Sequence, residues 1–110
     1  MDLALCIVER QGPREIIHAV GRYYLEPKEN RAEAAFIVRE TKRKLGMASV
    51  ILENLIATAK QRNILQLFAF VRNDNYPMIT IFSKFGFEKK ETDEMMESYF
   101  TLDLVECLPN

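Results

Sequence analysis

The sequence contains no tryptophan, one histidine, two cysteines, four glycines and four prolines in 110 residues. A lone histidine, His18, cannot by itself form a metal site. Two cysteines, Cys6 and Cys107, do not signal a disulfide framework, and we expect both thiols to be buried. The chain also lacks internal repeats, low-complexity segments and linkers. These absences favour one compact domain without a structural metal.

Neither a long apolar run nor an excess of one charge is present. No hydrophobic segment approaches the roughly 20 residues that span a bilayer, so a membrane protein is not expected. The net charge of −1 argues against nucleic acid as the main partner. The amino terminus has no basic segment before Leu3 and no small-residue cleavage site, which predicts a cytoplasmic protein. A hydrophobic content of 48% is that of an ordinary globular domain.

Periodicity predicts a mixed sheet with two helices. Apolar residues at three- and four-residue spacing predict a helix from Met47 to Arg62 that buries Val50, Ile51 and Leu55 among others. Asn63 is expected to end it in a left-handed conformation. The second helix is capped by Asp74 or Asn75 and ends at Gly86. Six strands are predicted: Leu3 to Glu9, Glu15 to Leu25, Ala32 to Val38, Gln66 to Val71, Phe87 to Glu91 and Ser98 to Val105.

A basic segment precedes the first helix. Lys42, Arg43 and Lys44 lie between a strand and the helix, and Gly46 lets a ligand approach the backbone. The first amide N–H groups of a helix have no partner within it, and the helix dipole adds positive charge there. Together these features predict a site for a pyrophosphate. A kinase or NTPase is disfavoured, because Gly46 is not followed by the Lys-Ser/Thr of a P-loop.

These residues carry a family resemblance. The segment Arg43-Lys44-Leu45-Gly46-Met47-Ala48 matches the Gln/Arg-x-x-Gly-x-Gly/Ala signature of the GNAT superfamily of acyl-CoA-dependent N-acyltransferases. The segment 31–38 resembles that family's fourth strand, and 75–87 its last helix and turn. The chain is most similar to the GNAT domain of bacterial protein-lysine acetyltransferases.

The resemblance implies an α+β fold with a mixed sheet and helices packed on it. Residues 1–110 are then a single GNAT-like domain that lacks the family's usual first strand and first two helices. We expect either a fragment of a longer protein or a naturally shortened one. The missing elements usually form part of the acceptor site, so acyl-CoA binding is better supported than acceptor recognition.

The resemblance also implies roles for individual residues. Glu33 corresponds to the catalytic base, and its apolar strand neighbours Ala35 and Ile37 favour a less hydrated carboxylate. The alternative from residue type alone is an edge-strand glutamate in water. The amide of Val38 is expected to polarise the thioester carbonyl. The acyl-CoA-binding residues implied are Ile37, Val38, Arg43, Lys44, Leu45, Gly46, Met47, Ala48, Ser49 and Asn75.

The predicted function is transfer of an acetyl group from acetyl-CoA to an amine, such as a protein lysine, without a metal. One departure concerns Phe82, which occupies the position where many relatives have a tyrosine that protonates the leaving thiolate. Tyr76 and Ser83 are the nearby substitutes. The alternative is a noncatalytic acyl-CoA-binding module of a larger protein. The exposed hairpin left by the missing elements predicts a homodimer.

Overall fold

The computed structural model describes residues 2–38 and 44–104, which form six strands and two helices. Cys107 and Arg43 lie outside the described residues. In chain order the elements are β1 (Leu3–Gln11), β2 (Arg14–Glu26), β3 (Arg31–Val38), α1 (Lys44–Gln61), β4 (Gln66–Arg72), α2 (Tyr76–Lys84), β5 (Glu88–Lys90) and β6 (Glu97–Asp103).

The strands form one mixed sheet in the order β1-β2-β3-β4-β6-β5. Strands β3 and β4 are parallel and are joined by the crossover helix α1, while the other neighbours are antiparallel. This arrangement confirms the predicted mixed sheet, the amino-terminal hairpin and the closing strand pair. The hairpin turn contains Gly12 at φ 61°, a conformation that glycine adopts readily.

Both helices pack on the same face of the sheet. A side chain on Gly21 of β2 would collide with Ile51 of α1, so α1 lies directly against the backbone of that strand. Phe36 of β3 pairs with Gly21 and therefore shares its face. The Phe36 ring lies 5.8 Å from that of Phe82 in α2. We call this the helix face, and the opposite side of the sheet the open face, because no described helix covers it.

The helices end with the same hydrogen-bond pattern. Asn63 after α1 has φ 59° and Gly86 after α2 has φ 91°. The amide of Ile64 donates to the carbonyl of Ala59 at 3.0 Å, and that of Phe87 to the carbonyl of Phe82 at 3.0 Å. These are Schellman motifs, in which a left-handed residue allows the chain to satisfy the last carbonyls. The predicted roles of Asn63 and Gly86 are confirmed.

Three sequence-based details are corrected. Helix α1 begins at Lys44, one turn before the predicted Met47, so Gly46 lies within its first turn. Val50 is 51% exposed and Leu52 is fully buried, contrary to the predicted buried face. The reason is that the buried stripe runs through Ala48, Ile51, Leu52, Leu55 and Ala59. Cys6 is an exposed free thiol, because it shares the open face with Val20, its partner in β2.

None of the described helices is both long and apolar enough to cross a membrane. Among the described residues, no group of three or more histidine, cysteine, aspartate or glutamate side chains could hold a metal ion.

Candidate functional site

Strands β3 and β4 pair only at their amino-terminal ends. Their register contains three pairs and ends at Glu33 opposite Phe68, although β3 continues to Val38 and β4 to Arg72. Strand β4 keeps its full pairing with β6 on the other side. Beyond Phe68 the facing edges of β3 and β4 have therefore separated, which leaves backbone hydrogen-bonding groups available along them. We call this opening the split.

The split contains a cleft of about 180 Å³. On the helix-face side it is bounded by Phe36, Met78 and Phe82, and on the open-face side by Ala35, Phe70 and Glu97. The cleft thus has walls from both faces of the sheet. Its two sides differ chemically, since the first is apolar and the second includes the carboxylate of Glu97 and the guanidinium of its strand partner Arg72.

Glu33 lies at the closed end of the split. It is on the open face, with Tyr24 of β2 on one side and Phe68 of β4 on the other. Its side chain is half-buried and makes no hydrogen bond or ion pair with any described residue. Because β3 is an interior strand, the alternative of an edge-strand glutamate does not apply.

The described residues predicted to bind the pyrophosphate lie in the first two turns of α1. Gly46 is exposed, and a Cβ added there would meet no atom of the described residues within 4 Å. Met47 and Ser49 are half-buried, whereas Ala48 is 1% exposed and belongs to the core. The backbone of Lys44 and Leu45 is helical, but their side chains lie outside the described part of the chain, as does Arg43 altogether.

The remaining predicted residues flank the split at its open end. Ile37, near the end of β3, is 74% exposed. Val38 is the last residue of that strand. Asn75 lines the cleft and caps α2, because its side-chain oxygen accepts a hydrogen bond from the amide of Met78 at 3.3 Å. The capping function predicted for Asn75 is confirmed.

Phe82 occupies the apolar wall. It is 2% exposed and its ring contacts those of Phe36, Phe87 and Phe100. The proposed substitutes for a proton donor do not contribute to the described lining of the cleft: Tyr76 is 72% exposed and Ser83 is also on the surface. Among the described residues lining the split, no tyrosine is present.

Glu97 was not identified by sequence reasoning. It is the first residue of β6, is half-buried, and pairs with Arg72 at the end of β4. It also lines a second, more open cleft of about 510 Å³, formed with Asn73, Ser98 and the β5–β6 connection. Alternation along Glu97, Tyr99 and Thr101 was the available signal, since these residues share one face of β6.

Arg72, the strand partner of Glu97, is held by a different carboxylate. Its Nε and Nη2 atoms donate to the two oxygens of Asp74, each at 3.1 Å. This hydrogen-bonded pairing raises the pKa of Arg72 and lowers the pKa of Asp74. Glu97 contributes a smaller electrostatic effect that also raises the pKa of Arg72. Both members of the pair are exposed, so the pairing positions Arg72 more than it stabilises the fold.

The geometry and the comparisons with known proteins agree. A mixed sheet with a split between two parallel strands, and with a helix amino terminus beyond it, defines the acyl-CoA-dependent GNAT acyltransferase fold. Residues 32–96 match the model of the family described as FR47-like protein. That match covers more than half of the chain, which therefore belongs to the FR47-like family of the GNAT superfamily.

Solved structures show the same fold. The GNAT domain of S. lividans PAT is 27% identical, with a TM-score of 0.75 over 93% of this chain. An N-acetyltransferase from Staphylococcus aureus Mu50 is 22% identical, with a TM-score of 0.71 over 81% of this chain and 62% of its own. The ribosomal-protein-S18-alanine N-acetyltransferase from Escherichia coli is 18% identical, with a TM-score of 0.74 over 99% of this chain and 73% of its own. The chain spans 60% of the S. lividans domain.

Proposed function

We propose that this chain binds acetyl-CoA and transfers its acetyl group to the amine of an acceptor, for example a protein lysine. The observation that carries the proposal is the separation of β3 and β4 after the Glu33–Phe68 pair. An extended ligand with amide groups, such as pantetheine, can hydrogen-bond to an open strand edge as an added strand does. Ile37 and Val38 are the residues of β3 that we assign to this contact.

The pyrophosphate is assigned to the first turn of α1. The first amide N–H groups of an α-helix have no partner within the helix, and among the described residues of α1 these belong to residues 44–46. Gly46 leaves the approach open. The helix dipole favours an anion at this end, and Arg43 and Lys44 add cationic charge in the sequence. Leu45, Met47, Ala48, Ser49 and Asn75 complete the proposed acyl-CoA-binding residues.

The chemistry requires a neutral amine, since an ammonium group has no lone pair. Glu33 is proposed to accept the amine proton as the nitrogen attacks the thioester carbonyl carbon. Negative charge then develops on the carbonyl oxygen, which the amide of Val38 is proposed to stabilise. Collapse of this intermediate breaks the C–S bond and releases the CoA thiolate. A free thiol has a pKa of about 8.5, so the thiolate can leave without a proton from the Phe82 position.

Calorimetry with CoA tests the cofactor site. Gly46→Glu should abolish binding, because it places a negative side chain beside the phosphates. Gly46→Ala is the matched control: it adds a small neutral side chain at the same position, where a Cβ would meet no described atom within 4 Å. Unchanged affinity in a folded Gly46→Glu protein would place the pyrophosphate elsewhere.

Steady-state kinetics with acetyl-CoA and a panel of amines tests the base. Glu33→Gln should lower kcat by about 10²- to 10⁴-fold, which is the usual contribution of general-base catalysis. CoA affinity should remain. An unchanged rate and pH profile in Glu33→Gln would show that Glu33 is not the base and has only a structural role in the sheet.

A noncatalytic acyl-CoA-binding module is the second candidate. The observation that favours it is Phe82, which is buried in an aromatic cluster and has no proton to donate. CoA binding without acetyl transfer to any amine of the panel, including lysine peptides, would favour this function.

A homodimer is a further part of the proposal. Strand β1 is at the edge of the described sheet, and the hairpin exposes Val8 and Ile17. Unpaired edges and exposed apolar groups favour association. Light scattering should detect a dimer, and a strict monomer over a wide concentration range would contradict it.

The cytoplasmic location stays a prediction from the sequence.

A further inference from the structure

Glu97 connects the two clefts of the molecule. Its side chain lines both the split between β3 and β4 and the more open cleft beside the β5–β6 connection. It reaches the split although β6 is separated from β3 by β4 in the sheet. It is therefore a carboxylate at the junction between the proposed acyl-CoA cleft and a route to the surface.

The guanidinium of Arg72 is not hydrogen-bonded to the Glu97 carboxylate. Arg72 lines the split beside Glu97, but it directs its two-pronged hydrogen bonds to Asp74. Within the described ranges, the Glu97 carboxylate has no hydrogen bond and no ion pair. Lys89 and Lys90 also line the open cleft, and Lys90 donates its hydrogen bond to Glu88. Both oxygens of Glu97 thus remain available to a ligand.

An aromatic surface lies next to this carboxylate. Phe70 lines the split, is 39% exposed, and stacks on Tyr99 with 5.0 Å between ring centroids. An exposed ring beside a carboxylate suits an alkylammonium group, because the alkyl chain packs on the ring while the ammonium bonds the carboxylate. Phe70, Tyr99 and Glu97 all lie on the open face, whereas α1 and the proposed phosphate site are on the helix side.

We propose that Glu97 is the residue that binds the ammonium group of the acceptor as it enters the split from the open face. The inference rests on the proposed function and adds to it that acceptors are cationic alkylamines. Glu97 is a specificity-determining residue, distinct from Glu33 at the closed end of the split. Phe70 holds the alkyl chain that carries the amine.

The test uses n-butylammonium as the probe and 1-butanol as its neutral counterpart. Each is titrated into the CoA-bound protein and into the free protein, and backbone amide shifts are followed by NMR. Shifts should concentrate at Ala35, Phe70 and Glu97. Glu97→Gln should raise the Kd for n-butylammonium by about threefold to fivefold, as expected for a half-exposed ion pair. The Kd for 1-butanol should not change.

Two further variants sharpen the test. Glu94→Gln removes the same charge from the wall of the open cleft, but Glu94 does not line the split, so the Kd should stay within about twofold. Asp74→Asn releases Arg72 from its partner, which lets the guanidinium pair with Glu97. We expect Asp74→Asn to weaken n-butylammonium binding although Glu97 is intact.

Several outcomes would overturn the inference. Equal affinity in wild type and Glu97→Gln, or shifts that concentrate away from the split, would remove the site. If Glu33→Gln loses n-butylammonium binding and Glu97→Gln retains it, Glu33 and not Glu97 binds the ammonium group. Failure of CoA to bind, with the Glu97 effect present in the free protein, would contradict the proposed function but support the cation site.

Discussion

The guanidinium carbon of Arg31 lies 3.9 Å from the centroid of the Phe68 ring, at the closed end of the split. Arg31 also donates a hydrogen bond to the hydroxyl of Tyr99 and forms an ion pair with Glu29 at 3.6 Å. Phe68 pairs with Glu33 across the last rung between β3 and β4. This cluster therefore joins β3, β4 and β6 where the parallel strands begin to separate.

We expect Arg31→Lys to lower the free energy of unfolding by about 1–2 kcal/mol, because a lysine does not reproduce the flat stacking on Phe68 or the same hydrogen bond. Urea unfolding followed by circular dichroism measures the change. Phe68→Leu and the double variant complete a cycle. If the two single effects simply add, the ring and the guanidinium do not interact energetically.

Gly21→Ala should destabilise the fold by about 1–3 kcal/mol, since the added methyl group would overlap Ile51 of α1 and force the helix outward. Thermal unfolding measures this loss. Ile51→Leu removes the γ-methyl group that causes the collision, so the double variant should lose less stability than the sum of the single variants. If the stability losses of Gly21→Ala and Ile51→Leu simply add, the loss in Gly21→Ala does not come from a collision with Ile51.

Gly46→Ala should increase the free energy of unfolding by about 0.5–1 kcal/mol. Gly46 is in the first turn of α1 with space for a side chain, and alanine restricts the unfolded chain more than glycine does. Urea unfolding provides the measurement. A loss of stability would mean that the backbone at this position requires glycine.

The carboxyl of Asp74 should titrate below its usual value of 3.8, because the hydrogen bonds from Arg72 favour its charged form. With a folded pKa below the unfolded one, the pair stabilises the protein above the unfolded pKa. That contribution is lost as the pH falls through the folded value. NMR titration should show the Asp74 midpoint rise toward 3.8 in Arg72→Gln. An unchanged midpoint would show that the pair does not persist in solution.

Local features of the fold were readable from the sequence because their causes are local. Asn75 caps α2 through its own side chain, and Asn63 and Gly86 end the helices because their residue types accept left-handed backbone. The start of α1 was placed one turn late, since Gly46 suggested a loop. A glycine in a helix costs about 0.5–1 kcal/mol relative to alanine, and burial of the residues that follow Gly46 outweighs that cost.

The tertiary structure decided which residues from distant strands lie next to each other. Glu97 is 64 positions from Glu33 in the chain, and only the pairing of β6 with β4 and the early end of the β3–β4 ladder bring it to the split. Periodicity specifies which residues share a strand face, but it carries no information on where two distant strands part. Glu33 was predicted as the base from its place in a segment that resembles a family motif, and that role stays a prediction. Glu97 belongs to no short motif, so its position depended on contacts that form only when the sheet is assembled.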